Sequence, residues 1–217
     1  MALARRLLGD PHGPADDHSG GLITAPRRYE LMAGAAFLGR RRKAYDRLVA
    51  LAGVTAGERV LDIGCGTGYL TRRAAVAAGA RGGVVGVDPS PNMIAYARRA
   101  APPTCAFHVA EGRQVPEEGE SFDVAVSSLA VHHIPAEQRA ETFAEIFRLL
   151  RPGGRMLIAD FRPPTGKIGG RFVGLTAGHA MQHDAVEEQG PSIAAAGFTV
   201  VGEGDVRPFL HWVRARR

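Results

Sequence analysis

Residues 60–68 read Val-Leu-Asp-Ile-Gly-Cys-Gly-Thr-Gly, and this stretch decides the fold. An apolar run delivers an acid, Asp62, and glycines then follow at every second position. Because glycine lacks a Cβ atom, such a backbone can approach a ligand closely at the carboxyl end of a strand. A dinucleotide-binding loop has the spacing Gly-x-Gly-x-x-Gly instead, which brings a pyrophosphate to a helix N-terminus. The observed spacing suits the amino-acid part of a zwitterionic ligand, with a plain strand-to-helix turn as the alternative.

Two further acids follow at the ends of apolar runs. Asp88 ends the run Val85-Gly86-Val87, where a carboxylate can accept both hydroxyl protons of a ribose. This residue alone does not separate an adenosyl ribose from that of NAD. Glu111 stands beside Gly112, an arrangement that can accept a hydrogen bond from an exocyclic adenine amine and leave room for the ring. A solvated glutamate at a strand end is the alternative.

Outside this loop, short apolar runs alternate with helical stretches, the pattern of a parallel sheet buried on both faces. Helix caps and stops divide them, such as Ser90-Pro91 at a start and Gly79 or Gly197 after an end. The strands are expected at Arg59–Ile63, Val84–Asp88, Cys105–Ala110, Val124–Ser128, Arg155–Asp160, Phe198–Gly204 and Phe209–Val213. The helices are expected at Tyr69–Ala78, Pro91–Arg99, Glu137–Leu150 and Ala185–Ala196, with one or two more within Arg27–Ala52.

The last two strands are joined by only Asp205–Pro208, which is too short for a parallel crossover, so the final strand should run antiparallel. The fold class is therefore α/β: a Rossmann-like, seven-stranded, mostly parallel sheet with helices on both faces and an N-terminal helical cap. We expect residues 1–25 to form a disordered tail and residues 26–217 a single domain. Within that domain, residues 26–55 should form the cap and residues 161–185 a lid insertion.

Taken in order, these motifs resemble those of the class I S-adenosylmethionine-dependent methyltransferases. The resemblance covers about Arg59 to Asp160, and it includes Ser121-Phe122-Asp123 and Leu150-Arg151-Pro152-Gly153-Gly154. It implies S-adenosylmethionine as cofactor, with Asp62, Gly64 and Gly66 at its methionine end, Asp88 at the ribose, and Glu111 with Gly112 at the adenine. The family more often has aspartate followed by alanine at this last position. The full set of expected cofactor-binding residues is Asp62, Gly64, Cys65, Gly66, Gly68, Asp88, Pro89, Met93, Glu111, Gly112 and Ser127.

The stretch Tyr29-Glu30-Leu31-Met32 also resembles the entry segment of the ubiquinone/menaquinone-biosynthesis C-methyltransferases, although Ala33 stands where those enzymes usually have asparagine. Tyr29 and Met32 are therefore candidate substrate residues.

Four histidines are candidates for the acceptor side. Methyl transfer from a sulfonium needs alignment and exclusion of water, and a base whose pKa is near neutrality can assist it. His133 and His179 are the candidate catalytic residues, and His132 and His183 are candidate substrate contacts. For each pair, a solvated loop is the alternative interpretation. Neither pair has a carboxylate at metal-ligand spacing, so we expect no metal site.

Composition narrows the class of partner. The net charge of +5 and the pI near 9.8 come from scattered arginines, which favours a solvated basic surface over specific nucleic-acid binding. Aromatic residues make up 6% of the chain, too few for a base-stacking platform, and an Asp/Asn-Pro-Pro-aromatic motif is absent after the fourth strand. We expect a cytoplasmic protein without a transmembrane segment, since no apolar run is long enough and Cys65 and Cys105 form no Cys-x-x-Cys pair.

The expected activity is methyl transfer to a carbon, oxygen or nitrogen atom of a small or lipid-like acceptor. A nucleic-acid methyltransferase is the less favoured enzyme. A protein that binds the cofactor without transferring its methyl group, either a cyclase or a binding protein, would show the same cofactor motifs. The sequence does not determine the acceptor or the oligomeric state.

Overall fold

The computed structural model describes residues 25–162 and 190–217. The helices of these ranges are α1 (Pro26–Ala36), α2 (Arg41–Ala52), α3 (Tyr69–Ala78), α4 (Pro91–Ala100), α5 (Ala136–Leu149) and α6 (Gly190–Ala195). The strands are β1 (Arg59–Ile63), β2 (Gly83–Asp88), β3 (Cys105–Val109), β4 (Phe122–Ser128), β5 (Leu150–Phe161), β6 (Thr199–Val206) and β7 (Leu210–Arg216). A short 3-10 turn, Val131–His133, follows β4.

These strands form one seven-stranded sheet in the order β3-β2-β1-β4-β5-β7-β6. Strands β1 to β5 pair in parallel, whereas β7 pairs antiparallel with both β5 and β6. From β1 the chain first builds outward through β2 and β3, and then returns to place β4 on the other side of β1. Ligands of open α/β sheets bind in the crevice at such a reversal, beyond the carboxyl ends of the strands. The predicted Rossmann-like topology and the antiparallel last strand are confirmed.

Apolar side chains fill both faces of the sheet. On one face Phe143 and Ile146 of α5 and Ile193 of α6 pack against the strands. On the other face, Tyr45 and Leu48 of α2 join side chains of α3 in a second cluster. Because both faces are covered, the central strands are apolar along nearly their whole length, which is why their sequences do not alternate.

The N-terminal cap consists of two helices. The chain leaves the α-helical conformation at Leu38 and Gly39, whose φ angles are 50° and 73°, and α2 then begins at Arg41. Further along, Ser90 caps α4 as predicted, because its Oγ accepts a hydrogen bond from the backbone N–H of Met93 at 3.4 Å. No helix within the described residues is long and apolar enough to cross a bilayer.

The boundaries of all strands except β1 differ from the sequence prediction, by one residue in β2 and β3 and by two residues in β4, which begins at Phe122; the last three strands differ as follows. Strand β5 begins at Leu150 rather than Arg155, because Leu150 already pairs with Phe122 before the register shifts. Strand β7 continues to Arg216, since it pairs with β5 from Phe161 to Arg155. Strand β6 runs to Val206, two residues beyond the predicted end. The C-terminal arginines therefore belong largely to the sheet and are not a loose basic tail.

Three predictions concern residues outside the described ranges. The first is the disordered tail expected at residues 1–25, of which only residue 25 is described. The others are most of the lid insertion expected at residues 161–185 and the start of the helix expected at Ala185–Ala196.

Candidate active site

A cavity of about 320 Å³ opens at the carboxyl ends of β1, β2 and β4, where the strand order reverses. Most of the predicted site residues line it. These residues are Tyr29, Asp62, Gly64, Cys65, Gly66, Asp88, Pro89, Met93, Glu111, Gly112 and His133. The volume is within the range of sites that hold a small molecule or a cofactor.

The other predicted site residues do not line this cavity. Gly68 packs at the start of α3 against Ala97 and Phe107, and Ser127 is fully buried inside the sheet. Met32 is 54% exposed and lies on the outer side of α1. His132 points its ring at Asp160. His179 and His183 lie outside the described residues.

The alternating glycines form a tight loop between β1 and α3. Gly64 has a φ of 67°, and a Cβ atom there would come within 2.3 Å of the Cβ of Ala130 in the loop after β4. Only glycine fits this approach, since the position combines a left-handed backbone with a neighbouring backbone at contact distance. Gly66 has a φ of 51° and open space where its Cβ would lie. The loop therefore presents bare backbone to the cavity.

The carboxylate of Asp88 joins this loop to the end of β2. Its Oδ2 accepts the backbone N–H of Gly66 at 2.9 Å, and its Oδ1 accepts that of Ser90 at 2.9 Å. Each carboxylate oxygen has a second lone pair, so both can still accept a hydrogen bond from a ligand hydroxyl group. Burial raises the pKa of Asp88, while these two backbone hydrogen bonds oppose that shift. The loop and the carboxylate are thus held in fixed relative positions before any ligand binds.

Asp62 is the most deeply buried acid of the site, with 1% of its surface exposed. Desolvation by burial raises its pKa to about 7, opposed by a hydrogen bond of 2.6 Å that Thr71 Oγ1 donates to its Oδ2. The negative charge of Asp88 raises it further. A cationic ligand in the cavity would stabilise the ionised form of both carboxylates.

The acid expected at the adenine side is half exposed. Glu111 Oε2 accepts a hydrogen bond from Arg113 Nε at 2.7 Å, and 57% of the Glu111 side chain is accessible to solvent. Its neighbour Gly112 packs tightly, since a Cβ there would meet Ile63 at 3.0 Å and Thr142 at 3.1 Å. Gly112 therefore has a packing reason for being glycine, whether or not a ring lies beside it.

The histidine pair after β4 is divided between two environments. His133 lines the cavity, whereas His132 Nδ1 lies 2.6 Å from Asp160 Oδ1 and its backbone N–H donates to Asp160 Oδ2 at 3.0 Å. The two imidazole rings lie 4.0 Å apart. Burial, followed by the charge of His132, lowers the pKa of His133 to about 4, and Asp160 opposes that shift. The expectation of a histidine whose pKa is near neutrality is therefore wrong for His133, because its surroundings disfavour the imidazolium.

One cluster that the sequence analysis missed ties the cap to the glycine loop. Arg41 donates two hydrogen bonds to Glu30, at 2.8 and 3.1 Å, and its guanidinium lies 3.9 Å above the ring of Tyr69. Glu30 Oε1 also accepts a hydrogen bond from Thr67 Oγ1 of the loop. Arg41 is only 6% exposed. The burial of Arg41 could have been predicted from the helical spacing of the sequence. The buried stripe of α2 consists of Arg41, Ala44 and residues 45, 48, 49 and 52.

The donor set of the cavity fits an adenosyl amino acid better than a metal ion. Backbone amides and carboxylates at one end suit an ammonium and a carboxylate group, and the carboxylate of Asp88 suits a diol. The tyrosine rings at positions 29, 45 and 69 add apolar walls. Within residues 25–162 and 190–217, no group of three His, Cys, Asp or Glu side chains is arranged to hold a metal.

Comparison with known proteins agrees with this geometry. A methyltransferase domain family matches residues 60–154. The chain is 39% identical over 115 residues to an arsenite methyltransferase of Halobacterium salinarum, a match that covers 51% of this chain and 29% of the relative. It is 30% identical over 146 residues to a ubiquinone/menaquinone biosynthesis C-methyltransferase of Pseudomonas putida, which covers 65% of this chain and 56% of the relative. These two matches therefore span only 29% and 56% of the relatives' own lengths.

A crystal structure supports the same fold. An S-adenosylmethionine-dependent methyltransferase from Aquifex aeolicus superposes with a TM-score of 0.73 at 17% identity, covering 89% of this chain and 99% of that one. The sequence motifs, the strand order and these matches agree. Residues 60–154 therefore match a methyltransferase domain, and the chain has the fold of the class I S-adenosylmethionine-dependent methyltransferases, whose cofactor is S-adenosylmethionine.

Proposed function

We propose that this chain transfers the methyl group of S-adenosylmethionine to a small-molecule or lipid-like acceptor. The observation that carries the proposal is the meeting, in one cavity, of the glycine loop with the carboxylate of Asp88, whose two oxygens hold the backbone at Gly66 and Ser90. Such a preformed cradle binds a ligand without a further cost for ordering the loop.

We assign the cofactor contacts from the chemistry of each wall. The backbone of Gly64 to Gly66 and the carboxylate of Asp62 would bind the amino-acid end, and Asp88 would bind the ribose hydroxyls. Met93 and Glu111 would border the adenine. The buried carboxyl group of Asp62 and the half-buried one of Asp88 favour a cationic ligand at this end of the cavity.

When bound, S-adenosylmethionine supplies an electrophilic methyl group on a positively charged sulfur. The chain then has to align an acceptor atom and exclude water. Tyr29, Tyr45 and Tyr69 form an apolar wall suited to both tasks. The hydrogen bond that Thr67 donates to Glu30 ties the cap to the glycine loop and helps to hold that wall in place.

We propose that His133 orients the acceptor. Its neutral imidazole can accept a hydrogen bond from a hydroxyl or amine of the acceptor, and the lowered pKa makes it a weak base at neutral pH. The contact with Asp160 holds the His132 ring against the His133 ring, and this packing fixes the position of the His133 ring. His179 and His183, in the expected lid, remain candidates for the same task, and Met32 remains a candidate substrate residue.

The names of the relatives support a small acceptor. One is named for arsenite and one for ubiquinone and menaquinone biosynthesis, and neither name refers to a nucleic acid or a protein. We further propose that the enzyme works in the cytoplasm, where the free thiols of Cys65 and Cys105 stay reduced.

A product assay tests the proposal. The full chain would be incubated with S-adenosylmethionine and, in turn, a quinol precursor, arsenite with a thiol, a phenol, and tRNA. We expect S-adenosylhomocysteine to accumulate in step with a methylated small molecule, and we expect none with tRNA. An acceptor that is converted to an unmethylated product, with S-adenosylmethionine fully recovered, would establish the non-methylating alternative instead. Preferential methylation of tRNA would contradict the acceptor class.

A further inference from the structure

The outer face of α1 is unusual for a surface helix. The stripe Tyr29, Ala33 and Phe37 recurs every four residues and faces the protein, with Phe37 fully buried. On the opposite side, Leu31 is 76% exposed and Met32 is 54% exposed, and neither is among the buried side chains of the core. A surface helix normally presents charged or polar side chains to solvent.

Basic side chains flank these apolar ones. Arg27 and Arg28 begin the helix, and Arg40, Arg42 and Lys43 follow its end after the exposed Leu38. We define the cap face as Arg27, Arg28, Leu31, Met32, Leu38, Arg40, Arg42 and Lys43. The helix is about 16 Å long at 1.5 Å per residue, so the basic residues at its two ends are separated by about the length of α1.

The positive charge of the cap face is not neutralised within the described ranges. The two acids of residues 25–52 already form ion pairs with other residues: Glu30 pairs with Arg41 at 2.8 Å, and Asp46 pairs with Arg73 at 2.5 Å. The five basic side chains of the cap face form no ion pair with a described residue. Residues 25–43 also contain no serine, threonine, asparagine or glutamine that could make directed hydrogen bonds to a protein partner.

We propose that the cap face docks onto an anionic lipid surface. An amphipathic helix whose apolar side chains are bordered by basic ones lies in the membrane interface, with the apolar groups inserted and the cations near the phosphates. Lipid headgroups supply negative charge without requiring a fixed hydrogen-bonding pattern, which matches this mixture of side chains. An acidic protein surface is the competing occupant, and the lack of polar side chains disfavours it.

Docking in this way would place the cavity close to the membrane. Tyr29 lines the cavity from the inner side of the same helix that carries Leu31 and Met32 outward. A single helix therefore separates the bilayer from the site, a short path for a lipid-like acceptor. The docking does not depend on the methyl transfer proposed above.

Vesicle sedimentation tests the docking. The full chain would be mixed with vesicles of phosphatidylcholine alone, or of phosphatidylcholine with phosphatidylglycerol. We expect binding to the anionic vesicles that weakens as salt shortens the Debye length from about 30 Å to about 8 Å. Arg42→Gln with Lys43→Gln should reduce the low-salt partition coefficient roughly 30-fold, at about 1 kcal/mol per cation. Leu31→Gln with Leu38→Gln should reduce it at least about ten-fold.

Matched substitutions elsewhere provide the controls. Val76→Gln removes an exposed apolar side chain (68%) from α3, and Arg81→Gln with Arg216→Gln removes two exposed cations. We expect these controls to bind the anionic vesicles as the wild type does. Wild-type protein that stays in solution with both vesicle types would overturn the proposal, as would equal binding to both, or equal losses in the control and cap-face variants.

Binding of S-adenosylhomocysteine separates this test from that of the proposed function. None of the four substituted cap-face side chains lines the cavity. Calorimetry should therefore show unchanged affinity in every variant, which also reports that each one is folded. Loss of vesicle binding together with loss of S-adenosylhomocysteine binding would mean that the cap had been damaged, and it would contradict the surface assignment.

Discussion

Replacing Asp62 by asparagine should stabilise the fold and weaken the cofactor site at once. The carboxyl group is almost fully buried, and its pKa is raised to about 7 from an ordinary value of 3.8. An asparagine has nearly the same shape and can still accept the hydrogen bond from Thr71. The substitution thus removes the penalty of burying a charge while keeping the local packing.

The gain in the free energy of unfolding that Asp62→Asn should give depends on pH. In the unfolded chain the carboxyl group is ionised above about pH 4, whereas in the folded protein it keeps its proton until about pH 7. Between these values folding takes up a proton, so the wild-type free energy of unfolding falls by about 1.4 kcal/mol per pH unit from this group. The asparagine has no such dependence. Its advantage over the wild type should therefore grow by about 2 kcal/mol between about pH 5.5 and about pH 8.

Urea unfolding of both proteins at the two pH values measures this difference, since equal m values allow the midpoints to be compared. Glu118→Gln is the matched control, because that substitution makes the same carboxyl-to-amide change at an exposed position. In the same samples, we expect the asparagine variant to bind S-adenosylhomocysteine about ten-fold more weakly or worse. A stability gain that is the same at both pH values would refute the reasoning, as would unchanged affinity.

Three other substitutions test separate parts of the site. Gly64→Ala should destabilise the fold by about 1–3 kcal/mol in urea unfolding, because its Cβ would lie 2.3 Å from that of Ala130; a change below about 0.5 kcal/mol would contradict the close approach. His133→Ala should lower kcat by about ten-fold or more with cofactor affinity nearly unchanged, and the wild-type rate should show no inflection from this group between about pH 6 and pH 8, where it stays neutral. Wild-type turnover in that variant would remove His133 from the mechanism. Thr67→Val should weaken S-adenosylhomocysteine binding several-fold, since it removes the hydroxyl that donates to Glu30, and calorimetry giving equal affinity would show that this hydrogen bond does not contribute.

The central sheet could be predicted because its signals are local. The run from Val60 to Gly68 contains both the buried strand and the loop chemistry. The short link expected at Asp205–Pro208, which is residues 207–209 in the structure, forces the last strand to turn back. The ends of β5 and β7 were less accessible. Leu150 and Arg216 extend their strands only because partners distant in the sequence pair with them.

The residues of the site were predictable where a motif marks a strand end, and less so where contacts between distant segments decide. The composition placed the arginines on a solvated basic surface, but Arg41 is paired with Glu30 and covered by the ring of Tyr69. The same holds for the acid–base properties of His133. A pKa depends on the burial and the neighbouring charges of the folded chain, here chiefly burial and His132, and the pair His132-His133 alone does not reveal which ring faces the cavity.

Calorimetric titration with S-adenosylhomocysteine and with NAD, on the wild type and on Asp88→Ala, tests the central claim most directly. We predict that the wild type binds S-adenosylhomocysteine far more tightly than NAD. We also predict that the substitution weakens the binding at least about ten-fold, or about 1.4 kcal/mol, since it removes the acceptor of the ribose hydroxyls and the anchor of the Gly66 backbone. Tighter binding of NAD, or unchanged affinity in the variant, would contradict the assignment of this cavity to S-adenosylmethionine.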